Sequence, residues 1–516
     1  MAVLSSAHPP ITVPDLTITE LVLGRAQELA DKAAFVDGPS GRVVTYGALA
    51  HQIRALAGGL KARGVGPGTT WALMAPNLPE YAVVFHGLAW AGATVTTLNP
   101  TYGAEEIAFQ LRDAGATAVI TVGLFLETAR EAAAAVGIEE VFLIGLGDAP
   151  SFASLFGEPL ADPVRVDPAE HVVVLPYSSG TTGFPKGVML THRNLVANVL
   201  QMRGHIELDD EDVTFAVLPF FHIYGMQVLM NYGLAQGATI VTAPRFDLVQ
   251  MLELAQQHGM TRLYLVPPIV LALAKHPIVD RYDLSRVKEI FSGAAPLGAE
   301  LAEAAAQRLG CAVAQGYGMT ELSPVSHAIP AGDYRPGSVG TLVASTEARL
   351  VDPETGEDAA PGQAGEIWIR GPQVMRGYLN NDEATLQTLD ADGWLHTGDI
   401  AEVDTDGHTF IVDRLKELIK VKGFQVPPAE LEALLVTHPG VADVAVIGIP
   451  DDDAGEVPKA FVVRAAGAEV TFEDLQALVA EHLATYKQLG AVAFVDAIPK
   501  SASGKILRRE LRALPS

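Results

Sequence analysis

Short apolar runs rich in β-branched residues alternate with longer segments of helical periodicity from residue 16 to residue 144. This alternation predicts α/β layers, because a strand–helix–strand order returns the chain to the same sheet in parallel. An irregular link at residues 145–168 interrupts the pattern, which then resumes. The predicted helices span 48–63, 80–91 and 105–114, and the predicted strands span 70–74, 93–98, 118–122, 141–144, 239–242, 262–266 and 289–292.

The pattern changes in residues 340–412, where short β-rich runs are separated by Gly, Asp and Pro turns. Such runs indicate a small antiparallel sheet or barrel, packed here on the α/β body. The segment that follows is long enough for a separate α+β domain, with helices predicted at 428–436 and 472–483. We therefore predict an N-terminal domain of residues 1–413 that includes the β-rich subdomain, and a small mobile C-terminal domain of residues 414–516.

Composition adds limits to this picture. A chain of 516 residues with 49% hydrophobic and 19% charged residues is predicted to be globular and to hold at least two domains. Lys and Arg number 35 against 61 Asp and Glu, and the formal net charge of −26 disfavours nucleic acid or an anionic membrane as a partner. A single cysteine, Cys311, excludes an intrachain disulfide framework and suits a reducing compartment.

Two stretches without charged residues, 81–104 and 213–244, were tested as membrane spans. Gly92 interrupts the first, and Pro219 with several polar residues interrupts the second, so each is better explained by a buried helix and strands. We expect no signal peptide, since no basic residue precedes Arg25, and the C-terminal residues are not a peroxisomal address. The expected location is cytoplasmic.

The stretch from Tyr177 to Gly187 has the chemistry of a phosphate-binding loop. It contains four hydroxyl residues, three glycines and Lys186 between a predicted strand and a helix capped by Thr191. The common P-loop pattern does not fit, because Pro185 stands where its second glycine belongs and Gly187 follows the lysine. A flexible turn is the alternative for such a loop. The hydroxyls that precede the lysine favour a phosphate clamp instead.

With this loop the sequence resembles the adenylate-forming acyl-CoA synthetases. Matching motifs run from the mid-forties to Arg509, and the chain looks most like 4-coumarate–CoA ligases and bacterial cinnamate–CoA ligases. The resemblance implies two steps, formation of an acyl-adenylate from a carboxylic acid and ATP and transfer of the acyl group to coenzyme A. The implied cofactors are ATP, Mg²⁺ and coenzyme A, and no oligomeric state follows.

The resemblance assigns most nucleotide contacts to the loop and to three later segments, 292–296, 315–321 and 394–414. Small residues there would admit a flat ring against the backbone, and Tyr317 offers a stacking face. Thr320 is implied at the α-phosphate, with Thr182 and Glu321 at the metal. The implied ATP or AMP residues are Ser178, Ser179, Gly180, Thr181, Thr182, Gly183, Lys186, Ala294, Ala295, Gln315, Gly316, Tyr317, Thr320, Asp399, Ile411 and Arg414.

An apolar strand is predicted to end just before His222 and Tyr224, and ligands of open α/β sheets bind beyond the strand ends. A histidine in apolar company is otherwise usually a core residue. The resemblance makes His222 a wall between the acid site and the thiol tunnel. The implied acid pocket is Tyr224, Gly225, Phe291, Ala294, Gly316, Gly318, Pro324 and Val325.

Four cations lie within residues 414–422 of this acidic chain, and a solvated surface is the alternative explanation. The resemblance implies Lys416 as the hinge, with Lys420 and Gln425 facing the adenylate phosphate. Lys422 and Gly423 would line the coenzyme A channel, where Arg245 is a weaker candidate. Asp399 on a turn would join Arg414 on the ribose.

Lys505 follows Ser503-Gly504 near the C-terminus and would by itself be a surface residue. The resemblance implies that it enters the site for the first half-reaction, so Lys505 is the main catalytic candidate, followed by Lys420, Gln425, His222, Thr320 and Lys416. A planar aryl-propenoate is the favoured acid. Medium-chain fatty acid ligases, luciferase-like oxygenases, carrier-protein loaders and a non-catalytic nucleotide-binding protein remain alternatives.

Overall fold

A computed structural model describes residues 3–178, 185–360, 362–422, 424–451, 453–501 and 504–514. Its strands are β1 (Leu4–Ser5), β2 (Ala33–Asp37), β3 (Val43–Thr45), β4 (Thr70–Met74), β5 (Thr94–Thr97), β6 (Ala116–Val122), β7 (Glu140–Ile144), β8 (Val172–Ser178), β9 (Lys186–Thr191), β10 (Val213–Ala216), β11 (Thr239–Thr242), β12 (Arg262–Leu265), β13 (Glu289–Ser292), β14 (Ala312–Gly318), β15 (Val325–Ala328), β16 (Thr341–Leu342), β17 (Glu347–Val351), β18 (Gly365–Arg370), β19 (Gly377–Tyr378), β20 (Leu395–Val403), β21 (Thr409–Arg414), β22 (Ile419–Val421), β23 (Phe424–Val426), β24 (Val441–Asp451), β25 (Gly455–Arg464) and β26 (Ala491–Phe494).

Helices connect these strands, as the periodicity predicts. They are α1 (Ile18–Leu23), α2 (Tyr46–Ala62), α3 (Pro79–Trp90), α4 (Ala104–Asp113), α5 (Leu126–Ala135), α6 (His192–Met202), α7 (Gly233–Gln236), α8 (Leu248–His258), α9 (Pro267–Lys275), α10 (Ala299–Leu309), α11 (Asp382–Thr388), α12 (Pro428–Leu435), α13 (Phe472–His482) and α14 (Arg508–Ala513). Short 3₁₀ segments include Thr320–Leu322, and a π-helical segment, Tyr224–Tyr232, precedes α7.

Two large sheets form the body of the molecule. One has the order β16-β15-β14-β13-β12-β10-β11-β2-β3, and the other has the order β19-β9-β8-β5-β4-β6-β7. Strands β10 to β14 of the first sheet pair in parallel. Their carboxyl ends therefore lie at one edge, where open α/β sheets bind ligands. The α/β fold class is confirmed.

The phosphate-loop region differs from the prediction in one respect. The loop was expected to join a strand to a helix, but it joins two antiparallel strands, with Tyr177 opposite Gly187 and Ser178 opposite Lys186. The helix begins only after β9, where Thr191 caps α6 through a capping box with Asn194. A short apolar run such as β9 has no periodicity that separates a strand from a helix lead-in, which explains the error.

The β-rich subdomain is an antiparallel sheet with the order β1-β17-β18-β20-β21. One expectation is wrong in detail here, since Asp399 lies within β20 and not on a turn. Arg414 is the last residue of β21 and pairs with Asp399.

The C-terminal segment has its own sheet, in which β22, β23, β24, β25 and β26 take part. Its buried apolar residues, from Ile419 to Leu489, form a cluster separate from the large cluster of residues 18–401. Separate cores are the usual physical basis of separate domains. No helix in the described ranges is long and apolar enough to cross a membrane.

Candidate active site

The turn that follows β10 carries His222 and Tyr224, and one asparagine fixes it. Asn77 is 4% exposed, and its amide donates to the carbonyls of Ala216 and Leu218 at 2.9 and 2.8 Å. Its Oδ1 accepts from the Phe220 N–H at 2.8 Å. Three hydrogen bonds from one buried side chain thus hold the end of β10 and the turn that follows it.

His222 is held in one orientation by this turn. The Tyr224 N–H donates to His222 Nδ1 at 3.3 Å, which leaves Nε2 to carry the proton. Burial, followed by the charge of Lys505, lowers the pKa of His222 to about 4. The imidazole is therefore neutral at physiological pH.

Tyr224 begins the π-helical segment and lies against the end of β13. Its hydroxyl donates to the Phe291 carbonyl at 3.1 Å, and burial raises the pKa of the phenol. A hydroxyl that donates to a carbonyl can still accept a hydrogen bond on its oxygen. Tyr224 can thus receive a donor from a ligand in the predicted acid pocket.

The glycines of this pocket are closely packed on the side where a Cβ would stand. A Cβ on Gly316 would lie 2.5 Å from the Phe291 ring and 3.0 Å from the His327 carbonyl. A Cβ would lie 2.2 Å from the Pro219 carbonyl at Gly225 and 2.0 Å from the Pro324 carbonyl at Gly318. These glycines are required because the chain itself fills the space.

The loop after β13 is shaped by Gln315. Its amide donates to the Leu297 carbonyl and accepts from the Leu297 N–H, both at 3.1 Å. Ala294, which is exposed, has a left-handed φ of 69°, and half-buried Ala295 follows it. The observed function of the Gln315 side chain is therefore to hold this loop, while a direct contact with a nucleotide stays a prediction.

The opposite side of the pocket, Pro324 and Val325, is held by α6. Asn198 is fully buried; its Nδ2 donates to the Val325 carbonyl at 2.7 Å, and its Oδ1 accepts from the Val325 N–H at 3.2 Å. Asn194 donates to the carbonyls of Pro372 and Val374 at 2.9 Å. One helix thus positions two segments that border the site.

The predicted adenosine residues meet where β14 faces the small sheet. The Tyr317 hydroxyl donates to Asp399 Oδ2 at 2.6 Å, and Arg414 Nε lies 3.4 Å from Asp399 Oδ1. Asp399 is 6% exposed and retains lone pairs for hydroxyl donors such as those of a ribose. Ile411, half-buried on β21, pairs with Ala401 of the same sheet.

The predicted phosphate residues converge around Glu321, which is 5% exposed in the segment Thr320–Leu322. Burial lowers the pKa of Lys186, and the charge of Glu321 acts in the opposite direction, so the two side chains are neighbours. Ser178 Oγ is buried without a hydrogen-bond partner in the described part of the chain. An orphaned hydroxyl beside a lysine suits a ligand with many acceptor oxygens. Ser179, Gly180, Thr181, Thr182 and Gly183 lie outside the described residues.

The buried carboxylate of Glu321 fits a magnesium ion that binds together with the phosphates of a nucleotide. No cluster of three or more metal-ligating side chains occurs within the described ranges. Magnesium in such sites is held by one or two carboxylates together with substrate phosphates and water. Glu321 would hold the ion, which would supply charge neutralisation at the phosphates.

Lys505 joins this group from the C-terminal domain. Its loop is closed by its own backbone, as Ser501 N–H donates to the Lys505 carbonyl and Gly504 N–H donates to the Ser501 carbonyl, both at 2.8 Å. Burial lowers the pKa of Lys505 to about 8; Arg414 acts in the same direction, while Asp399, Glu321 and Glu417 act against it. The Lys505 ammonium has lost most of its contact with water here. A bound polyanion would stabilise its charge in place of that water.

Burial and, to a smaller extent, the charge of Lys416 lower the pKa of Lys186, so Lys416 lies near this group. Lys420 and Gln425 pair with each other across β22 and β23, and both are exposed. Lys416, Lys422 and Arg245 are also exposed, and Gly423 lies outside the described residues. The hinge, the adenylate contacts and the coenzyme A contacts of these residues therefore stay predictions.

Comparison with known proteins decides the family. A sequence model described as AMP-binding enzyme matches residues 24–379, and a model described as AMP-binding enzyme C-terminal domain matches residues 430–505. The chain belongs to the AMP-binding enzyme family. The predicted membership of the adenylate-forming group is confirmed.

Curated relatives of this AMP-binding enzyme match over nearly the whole chain. 4-Coumarate–CoA ligase 5 of Oryza sativa subsp. japonica is 46% identical, and the alignment covers 99% of this chain and 97% of the relative. 4-Coumarate–CoA ligase 1 of Petroselinum crispum is 44% identical, with 99% and 96% covered.

Solved structures share its complete architecture. The anthranilate CoA ligase AuaEII in complex with anthranoyl-AMP has a TM-score of 0.91 at 28% identity, with 98% of each chain covered. ATP-bound MatB from Rhodopseudomonas palustris has a TM-score of 0.87 at 30% identity, with 96% of this chain and 99% of the other covered.

The sequence of this AMP-binding enzyme did not reveal several residues that build its site. Asn77 and Asn198 act on groups far away in the chain, so no local pattern predicts them. A polar side chain within an apolar run, such as Asn198 in α6, needs a hydrogen-bond partner when it is buried, and this requirement alone could have marked it in the sequence.

Proposed function

We propose that this AMP-binding enzyme is an acid–thiol ligase that activates a planar aryl-propenoate, of the cinnamate or 4-coumarate type, with ATP and transfers it to coenzyme A. The acid carboxylate would attack the α-phosphate and release pyrophosphate. The coenzyme A thiolate would then displace AMP and give the thioester. The full-length similarity to 4-coumarate–CoA ligases supports this chemistry.

The observation that carries the proposal is the position of Lys505 among Asp399, Arg414 and Glu321. Attack of a carboxylate on a polyanion is opposed by about 4 kcal/mol for each pair of unit charges 4 Å apart at an effective dielectric of 20. Cations fixed before the reaction lower this barrier without reorganisation. Lys505 and Lys186 would supply this charge, with the ion at Glu321, and Thr320 would bind the α-phosphate.

The second half-reaction requires different access to the adenylate. We propose that rotation about Lys416 withdraws Lys505 and presents the β22–β23 hairpin, which carries Lys420, Gln425 and Lys422. Lys420, Lys422 and Gln425 are exposed in the present orientation, so they are accessible for contacts with the adenylate and coenzyme A after the rotation. Arg245 and Gly423 would take part in binding coenzyme A, and His222 would separate the acid from the incoming thiol.

The type of acid follows from the walls of the pocket. Phe291 and Val325 are 4% and 5% exposed and carry no charge, so they favour an apolar planar group. The Tyr224 oxygen, which already donates to the Phe291 carbonyl, is able to accept from a para-hydroxyl. Ala294 borders the exposed mouth, where ring substituents would meet it.

Acid-dependent pyrophosphate release, measured with cinnamate, 4-coumarate, caffeate, benzoate and octanoate in the presence of coenzyme A, tests the proposal. We expect saturation with the aryl-propenoates and formation of their CoA thioesters. Saturation with octanoate alone would instead establish a fatty acid ligase. Absence of pyrophosphate release with every acid would favour a non-catalytic nucleotide-binding protein.

A further inference from the structure

Tyr378 lies between two groups that the proposed reaction requires. Its hydroxyl donates to Glu321 Oε1 at 2.8 Å, and the Lys186 ammonium lies 4.0 Å from the centroid of its ring. One side chain thus contacts both the lysine of the phosphate loop and the carboxylate at the metal position. Tyr378 is 4% exposed and Glu321 is 5% exposed, so the hydrogen bond between them is buried, while Lys186 is half-buried.

The backbone around Tyr378 is fixed from several sides. Strand β19 pairs with β9 and sets Tyr378 opposite Val188, two residues after Lys186. The Tyr378 N–H donates to Thr385 Oγ1 at 2.9 Å, and the Leu379 N–H donates to the Gly187 carbonyl at 2.8 Å. Since β9 also carries Lys186, Tyr378 and Lys186 are fixed on adjacent strands of the same sheet.

Glu321 is tied to the same segment by its own backbone. Its carbonyl accepts from the Met375 N–H at 2.8 Å, three residues before Tyr378. Because the Tyr378 hydroxyl donates to Glu321 Oε1, Glu321 Oε2 is the oxygen that would bind a cation. A carboxylate with one oxygen fixed by a donor presents the other in a defined direction, as partners of metal ligands commonly arrange.

We propose that Tyr378 is a positioning residue that couples the phosphate loop to the metal carboxylate: its hydroxyl orients Glu321 for a divalent cation, and its ring holds the Lys186 ammonium for the phosphates. This inference rests on the proposed function of the site. The two contacts use different parts of the side chain, so they are separable by substitution. Tyr378→Phe removes only the hydroxyl, while Tyr378→Leu removes the hydroxyl and the ring face.

The test measures ATP binding by calorimetry without any acid, once with Mg²⁺ and once with EDTA, and it measures the Mg²⁺ dependence of pyrophosphate release. For Tyr378→Phe we expect about tenfold weaker binding of ATP with Mg²⁺ and a higher Mg²⁺ concentration at half-maximal rate, because a hydrogen bond to a charged group is lost. Binding with EDTA should equal that of the wild type. Tyr378→Leu should weaken binding in both conditions.

Tyr334→Phe is the matched control. Tyr334 also donates to a carboxylate, Glu289 Oε1, at 3.0 Å, at the amino end of β13 and away from the site. We expect that variant to bind ATP as the wild type does in both conditions. Equal weakening by Tyr378→Phe with and without Mg²⁺, or an unchanged Mg²⁺ dependence, would overturn the proposal. Because the binding arm needs no acid, failure to find an acid substrate would refute the proposed function and leave this inference tested on its own.

Discussion

Lys505 shows how one residue acquires its character from its surroundings. A lysine on an exposed loop is fully protonated at neutral pH, whereas burial lowers the pKa of this one to about 8. Its charge is therefore largely present below pH 8 and is lost as the pH rises through that value. The same desolvation makes its interaction with an anion stronger than it would be in water.

Removal of this side chain should affect only one half-reaction. We expect Lys505→Ala to lose at least about 100-fold in acyl-adenylate formation, because a charge-stabilising group in the transition state is lost. Formation of the thioester from supplied acyl-adenylate should be preserved. Single-turnover measurements of each half-reaction provide the readout, and equal loss in both would contradict this division of roles.

A proton should accompany ATP binding near the pKa of Lys505. The polyanion favours the ammonium form and raises this pKa, so at pH 8 the protein should take up a fraction of a proton as MgATP binds. At pH 6.5 Lys505 is already charged, and its contribution should vanish. Calorimetry in two buffers of different ionisation enthalpy measures the uptake, and Lys505→Ala should lack the pH-8 component.

At the scale of elements, helix α6 braces two backbone segments, β15 at Val325 and the segment of Pro372 and Val374. Loss of Asn198 would leave the buried N–H and carbonyl of Val325 unsatisfied. Each such group costs about 1–3 kcal/mol. The loss would therefore destabilise β15 at Val325 and not helix α6 itself.

We therefore expect Asn198→Ala to lower the free energy of unfolding by about 2–4 kcal/mol and to raise the KM for the acid. Asn381→Ala is the control, since Asn381 only caps α11 by accepting from the Ala384 N–H at 3.0 Å and lies at the surface. It should cost about 1 kcal/mol and leave the KM unchanged. Urea unfolding and steady-state kinetics give the two values, and an unchanged KM for Asn198→Ala would contradict the brace.

Most elements followed from the sequence because their patterns are strong. Strands at 70–74, 239–242 and 289–292 were predicted with the bounds that the structure has. The hairpin at β9 was missed, because its identity as a strand depends on pairing with β8. Tyr378 was missed for a similar reason, since its partner Glu321 lies 57 positions away in the chain. Lys505 was identified by family resemblance, because its loop carries no chemical signal of its own.

On the scale of the whole molecule, the C-terminal domain touches the body next to Lys505. Gly504 has a left-handed φ of 81°, and a Cβ there would lie 3.2 Å from Val266, the residue after β12. In the proposed rotation about Lys416 this contact would be lost as Lys505 leaves the site. A side chain at position 504 would therefore crowd Val266 in the orientation described here, and the rotation would relieve that crowding.

Gly504→Ala should for this reason slow adenylation by about tenfold, because overpacking against Val266 costs roughly 1–3 kcal/mol, and leave thioester formation unchanged. Gly467→Ala is the matched control in the same domain. Gly467 has a similar φ of 75°, and a Cβ there meets no atom within 4 Å. Both variants should lose similar stability, and only the first should separate the half-reaction rates; equal rate effects would refute the contact.

The division of the site between two sheets has an evolutionary consequence. Phe291 of the proposed acid pocket comes from the nine-stranded sheet and Tyr224 from the π-helical segment, while Lys186 and Tyr378 come from the seven-stranded sheet. With the proposed roles, substitutions at Tyr224 and Phe291 would exchange one acid for another and leave Lys186 and Tyr378 in place for the phosphates. An architecture of this kind can diversify its substrates without inventing a new activation chemistry.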